Sequence, residues 1–342
     1  MATPQDAELL KQGVPWQDKI FHQEEGKGEN TDIKNLNRLR TALQGVKTAY
    51  YPGAGADYLP LALCPSGSTV VMQSLDYNPR HQFFQGDRMQ TWMQRGILDI
   101  AGLEKYPEAK DFDPTNPVLD IHLAGDITVK FVGDSNDQTR NIPPNIDMIY
   151  APPLTPNVSP IAYNSLNVGG LVLIVDTDEH KSEPIGQYLG IKLDDLPSFQ
   201  KREITINELP SVLQEAATYS RDISDMTFNI YKKVKNLSRY ERTIFEVESA
   251  IFYGGFWREW YKKLLIQQNQ GHNAKLHDYE DYYTESYFSS LSNIKELLSN
   301  LTVYAKNDSN NAGNYKRIRG ILQEYLDEYE NLDETENKEF PS

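Results

Sequence analysis

Apolar positions along this 342-residue chain change their period twice. Residues 1–30 are polar, and "HQEEGKGENTD" predicts a mobile arm with one short helix near Ala7–Gln12. Ile33, Leu36, Leu39 and Leu43 then recur at helical spacing. Strand and helix patterns alternate from there. Val46–Tyr51 reads as a strand, Tyr58–Leu63 as a helix that "CPSGS" stops, and β-branched Thr69–Asp76 as a second strand. Gln82–Leu103 carries Phe84, Trp92, Met93, Ile97 and Ile100 on one helical face. In "VLDIHLAGDITVKFVGD", alternation on both sides of Ala124-Gly125 predicts a β-hairpin. Ile146–Tyr150 is a short apolar strand stopped by two prolines. Gly169–Asp176 is the most continuous apolar run, as a central strand buried on both faces requires. "FQKREITI" and "MTFNIYKKV" are two later strands flanking a helix at Leu209–Tyr219.

From Ser238 the period becomes helical throughout. Ile244, Val247, Ile251, Trp260 and Leu264 mark a long helix, with an interruption expected at Gly254-Gly255. Further helices are expected at Tyr282–Tyr304 and Tyr315–Tyr329, before an acidic end. The pattern divides the chain into a mobile arm (1–30), an α/β domain (31–236), a helical domain (237–332) and an acidic tail (333–342).

Composition narrows the partners. With 49 acidic against 34 basic residues the formal charge is −15, opposite to the signature of a broad phosphate-binding surface, which argues against nucleic acid. No basic start followed by an apolar run opens the chain, and no apolar stretch is long enough to span a membrane, so a cytoplasmic protein is expected, although one secreted by a non-classical signal would look the same. The single Cys64 excludes a disulfide framework and a multi-cysteine metal site, and reads as a small buried residue. No metal site is expected. The histidines, His81, His122 and His180 among them, are scattered, and the stretches "IFYGGFWREWY" and "YEDYYTESYF" read as inter-helix packing.

Candidate chemistry gathers at "TAYYPGAGADY". A strand, then Gly53-x-Gly55, then a helix lets backbone approach a ligand closely, because glycine accepts positive φ and has no side chain in the way. The dinucleotide fingerprint needs a third glycine where Tyr58 stands, and a P-loop needs Gly-Lys-Ser/Thr, so both phosphate readings weaken. A ligand bearing a nucleoside without pyrophosphate fits better. Asp76 follows Gly55 by 21 residues at the end of the next strand, where its carboxylate can accept both ribose hydroxyls. Asp134, in "VGDSND", ends the next core strand and can meet an adenine amino group.

"YYPGAGADY", "QSLDYNP", "FVGDSND", "DMIYAPPL" and "GGLVLIVD" resemble, in order and spacing, the class I S-adenosylmethionine-dependent methyltransferases over residues 31–235. The resemblance implies a doubly wound, mostly parallel seven-stranded α/β sheet with an antiparallel last strand and helices on both faces, here followed by an α-helical C-terminal region. It implies S-adenosylmethionine as cofactor. Gly53 and Gly55 would pass under its methionine part, Asp76 would hold the ribose, and Asp134 and Ser135 would line the adenine. Tyr51, Pro52, Ala54, Tyr77 and Ala151 complete the implied cofactor site.

Three positions depart from the family pattern. Tyr51 stands where an acid usually precedes the first glycine, Asp57 where a third glycine is common, and Ala151-Pro152-Pro153-Leu154 where amino-directed enzymes carry Asp/Asn-Pro-Pro-Tyr. The expected function is methyl transfer to a small-molecule or protein acceptor, with no catalytic residue assigned. The alternative is an inactive methyltransferase-like module that binds a protein partner through its C-terminal helices. A dehydrogenase is disfavoured by Tyr58.

Overall fold

The computed structural model describes residues 38–39, 41–52, 60, 63–65, 67–73, 118–123, 127–132, 142–151, 161–177, 188–206, 226–269 and 280–331. Its centre is a mixed sheet of β1 (Thr48–Tyr51), β2 (Thr69–Gln73), β3 (Val118–Leu123), β4 (Ile127–Val132), β5 (Ile146–Ala151), β6 (Leu166–Thr177), β7 (Phe199–Ile206) and β8 (Met226–Lys233). The strand order is β3-β4-β2-β1-β5-β6-β8-β7. β1 pairs in parallel with both β2 and β5, β2 with β4, and β5 with β6, whereas β8 runs antiparallel between β6 and β7.

The chain starts in the middle and winds outward both ways, reversing beside β1 as a doubly wound sheet does. Seven strands form the expected sheet with its late antiparallel pair. The eighth is β3, the first arm of the Leu119/Phe131 hairpin, which pairs antiparallel on the outside of β4 and takes the sheet edge. The expected helices at 82–103 and 209–219 lie outside the described residues, as do residues 1–37 and the tail from 332.

Both faces of the central strands are buried, which is why β1, β2 and β6 read as continuous apolar runs. On one face Tyr50, Val71, Ile149, Val172 and Ile174 share a core with Ile244, Phe245, Val247, Ala250 and Ile251. On the other, Ala49, Tyr51, Val70, Met72, Met148, Tyr150, Leu173 and Val175 are buried. After the short helix α1 (Ala162–Ser165), the long helices are α2 (Arg239–Asn269), α3 (Glu280–Asn307) and α4 (Ala312–Glu330).

A capping box starts α2. Glu241 N–H donates to Ser238 Oγ at 3.2 Å, and Ser238 N–H donates to Glu241 Oε2 at 2.7 Å. Glu241 Oε1 also accepts Ser198 N–H at 3.0 Å, which ties the helix start to the start of β7. Burial pushes the Glu241 carboxyl up, but the bonds from Ser238 and Ser198 outweigh it and hold it below the ordinary value.

No break occurs at the glycine pair: α2 continues through Gly254-Gly255. A Cβ on Gly254 would lie 3.0 Å from Tyr325 Oη and 3.2 Å from both Ile294 Cδ1 and Tyr329 Cε2. The glycine therefore leaves room for side chains of both α3 and α4 against α2. Tyr261, Tyr287 and Tyr329 stack in succession at this junction, with centroids 4.5 and 4.9 Å apart. Tyr325 Oη donates to the Ile251 carbonyl at 2.9 Å. Among the described residues, no helix is long and apolar enough to cross a membrane.

Candidate functional site

In an open α/β sheet, ligands bind beyond the carboxyl ends of the strands where the order reverses. Here that point lies between β1, with β2 on one side, and β5 on the other. The parallel registers Tyr51↔Met72 and Gln73↔Val132 bring the tips of β1, β2 and β4 side by side, and Tyr50↔Ile149 adds the tip of β5.

Three of the sequence-predicted site residues are described, and all three are at this edge. The Tyr51 ring is fully buried and meets Tyr150 edge-on, with centroids 4.9 Å apart and planes at 82°. It is thus a wall of the core beneath the loop that follows β1. Pro52 is buried next to it, and Ala151 is 2% exposed at the end of β5. Gly53, Ala54, Gly55, Asp76, Tyr77, Asp134 and Ser135 lie outside the described residues, as do Asp57 and Pro152–Leu154.

The described tips carry Tyr51, Gln73, Val132 and Ala151, none of them cationic.

A polar group that sequence reasoning missed sits below this edge. Gln73, 2% exposed at the end of β2, accepts the Tyr50 hydroxyl on Oε1. Its Nε2 donates to the buried Tyr253 hydroxyl of α2 at 3.5 Å. These residues come from β1, β2 and α2, and Gln73 and Tyr253 are 180 positions apart in sequence. No local pattern announces such a cluster. It shows how far α2 reaches. The helix begins near the amino end of β7, crosses one sheet face, and meets the carboxyl end of β2 at Tyr253. About 24 Å of helix follows Tyr253, at the rise of one residue per ~1.5 Å.

Cys64 is buried, and burial pushes its thiol up to about 12, so it stays a protonated, inert packing group. Lys233 is also inward, donating from Nζ to the carbonyls of Leu166 at 2.6 Å and Tyr163 at 3.3 Å. These bonds tie the end of β8 to α1 and the start of β6.

No protein-family model matches the chain, and no curated protein matches it. Among solved structures it is similar to an rRNA methylase from Streptococcus thermophilus. That overlap has a TM-score of 0.31 and 11% sequence identity, and covers 61% of this chain and 99% of the methylase. The strand order and directions, read from the ladder itself, describe a mixed α/β sheet that winds outward both ways from β1.

Proposed function

We propose that the chain binds S-adenosylmethionine at the carboxyl edge of the sheet, as a methyltransferase-like protein. The observation that carries this reading is the order reversal at β1, which gathers the ends of β1, β2, β4 and β5 at one edge. The segments that leave those ends carry Gly53–Gly55, Asp76–Tyr77 and Asp134–Ser135. In this reading the glycine backbone passes under the methionine moiety, Asp76 accepts the ribose hydroxyls, and Asp134 and Ser135 meet the adenine. Tyr51, Pro52 and Ala151 form apolar walls. The acceptor is a small molecule or a protein. It attacks the sulfonium methyl directly, and the protein contributes chiefly alignment of the two reactants. In this reading the part of α2 beyond Tyr253 selects that acceptor.

The test is calorimetry on the full chain with S-adenosylmethionine and its demethylated product. Saturable binding that Asp76→Ala and Asp134→Ala each weaken is expected. No heat from either compound at millimolar concentration would end the proposal.

A second reading, an inactive module used for protein interaction, is favoured by Tyr51. Its ring occupies the core where a carboxylate would be expected, and Ala151 offers no side-chain acceptor. The two readings separate on Gly55→Asp. Loss of biological function with that variant supports cofactor use, whereas unchanged function together with its loss on disrupting the α2–α4 aromatic stack supports the inactive module.

A further inference from the structure

A cavity lined by described residues lies at the opposite edge of the sheet. About 820 Å³ in volume, it opens at the amino ends of β1, β5 and β6, on the face away from α2. One wall is the helical turn that carries Arg38 and Ala42, four residues apart and so on one helical face. Another is the face of β7 and β8 that carries Arg202, Ile230 and Lys232, where Arg202 pairs with Ile230 and Lys232 is two residues further on. The start of β6 forms the third.

The start of β6 is irregular. Leu166 pairs with Ile146 and Leu171 with Met148, so residues 167–170 have no cross-strand partner in that ladder. Gly169 has φ +90°, where side chains are strained, and a Cβ on Gly170 would meet Asn167 O and Leu166 Cδ1 at 2.8 Å. The bulge therefore requires both glycines. Bulges of this kind re-aim side chains. Here the bulge brings Asn167 Nδ2 to 2.9 Å from Asp147 Oδ1. The other carboxylate oxygen, Oδ2, accepts the backbone N–H groups of Lys47 and Thr48, each at 3.0 Å.

Asp147 is the one acid that lines the cavity, and both its oxygens are already engaged. Arg38, Arg202 and Lys232 are exposed, and none of them is within ion-pair distance of a described acid. Among the described residues these three cations have no acidic partner, although acids are plentiful in a chain of charge −15. The rest of the lining combines apolar Ala42, Val46, Val168, Leu171 and Ile230 with Asn167, Asp147 and three glycines.

We propose that this cavity binds a phosphorylated small organic molecule, with its phosphate against Arg38, Arg202 and Lys232 and its body against the apolar lining. Guanidinium forks bind phosphate oxygens in pairs, and the ammonium adds a point charge. Three cations match a phosphate dianion better than a single carboxylate. The volume suits a molecule of about mononucleotide size, within the ~300–1,000 Å³ usual for such sites. The chain's net charge opposes a long polyanion, but its exposed acids are screened beyond about 8 Å at physiological salt, which leaves the local cluster in control. This proposal does not depend on cofactor binding at the other edge.

The experiment titrates the full chain with inorganic phosphate, pyrophosphate and uridine 5′-monophosphate, with uridine as the control, by calorimetry at low and physiological salt. At least one phosphate compound is expected to bind saturably and more weakly at the higher salt, while uridine alone does not. Arg202→Gln and Lys232→Gln should each weaken binding about tenfold, as expected for loss of one charge-assisted contact. All three residues are exposed, so their variants should keep the wild-type melting temperature. Asp76→Ala should leave phosphate binding unchanged, which separates this cavity from the proposed cofactor edge. Failure of all three phosphate compounds to bind would overturn the proposal. So would binding that survives in the folded Arg38→Gln/Arg202→Gln/Lys232→Gln variant.

Discussion

Glu248 provides the sharpest test of how α2 is seated. It lies on the buried side of the helix, 1% exposed, and its Oε1 accepts the Leu189 N–H at 2.7 Å. Oε2 is buried without a partner among the described residues. Burial pushes the carboxyl up from 4.5 to about 7, and the amides of Leu189 and Tyr188 only partly offset that.

The sign follows from linkage. The folded state holds this proton more tightly than the unfolded state does. The stability it contributes is therefore fully present below pH 4.5 and is lost as the pH rises through about 7. At ~1.36 kcal/mol per pKa unit, the loss is roughly 3 kcal/mol at alkaline pH, with about 2.5 kcal/mol of it falling between about pH 5 and about pH 8. Glu248→Gln cannot ionise. Its amide group would occupy the place of Oε2 as a neutral buried donor, at a cost of about 1–2 kcal/mol that does not change with pH.

The diagnostic is therefore a slope. Urea unfolding of both proteins, followed by tryptophan fluorescence across that pH range, should show the wild type losing about 2.5 kcal/mol more than the variant. Parallel stability curves would refute the buried seating of Glu248 against the 188–189 turn.

Two glycine substitutions in helices should act in opposite directions. Gly320→Ala on α4, where a Cβ meets nothing within 4 Å, should stabilise by about 1 kcal/mol through helix propensity. Gly254→Ala gains the same propensity but presses on Tyr325, Ile294 and Tyr329, and thermal melts should show it net destabilised by about 1 kcal/mol. Asp147→Ala should lower stability by about 2 kcal/mol, because three donors lose their acceptor. Asn167→Ala in that background should add little, and a double-mutant cycle would measure the coupling. Ser238→Ala should cost about 1 kcal/mol in chemical denaturation, as loss of the α2 cap requires.

The strands were legible because each carries its signal within a few residues. β7 and β8 match the runs "FQKREITI" and "MTFNIYKKV" to within a residue. β6 was harder. Gly169-Gly170 reads as the point where a strand begins, yet the strand already starts at Leu166 and bulges through the glycines. That bulge depends on Asp147 of another strand, so its own sequence does not declare it.

At Gly254-Gly255, propensity predicted a break, and the close approach of α3 and α4 outweighed it. The start of α2 did carry a local sign, the Ser-x-x-Glu of Ser238–Glu241, which marks a capping box. At the candidate cofactor edge, loop glycines and strand-end acids stand out because their spacing is tied to neighbouring strands. Arg38, Arg202 and Lys232 have no such spacing. They are charged residues on three distant segments, and only the folded sheet brings them round one cavity.

The path of α2 also matters while the chain is being made. Translation delivers the strands first and the helix that covers one of their faces afterwards. Until the segment containing Ile244–Ile251 has left the ribosome, Tyr50, Val71, Ile149, Val172 and Ile174 lack their apolar partners. An uncovered apolar sheet face of this kind is the surface that makes folding intermediates prone to aggregate. Ribosome-bound chains stalled at residue 236 should bind a hydrophobic dye strongly, and chains stalled after α2 has emerged should bind it far less.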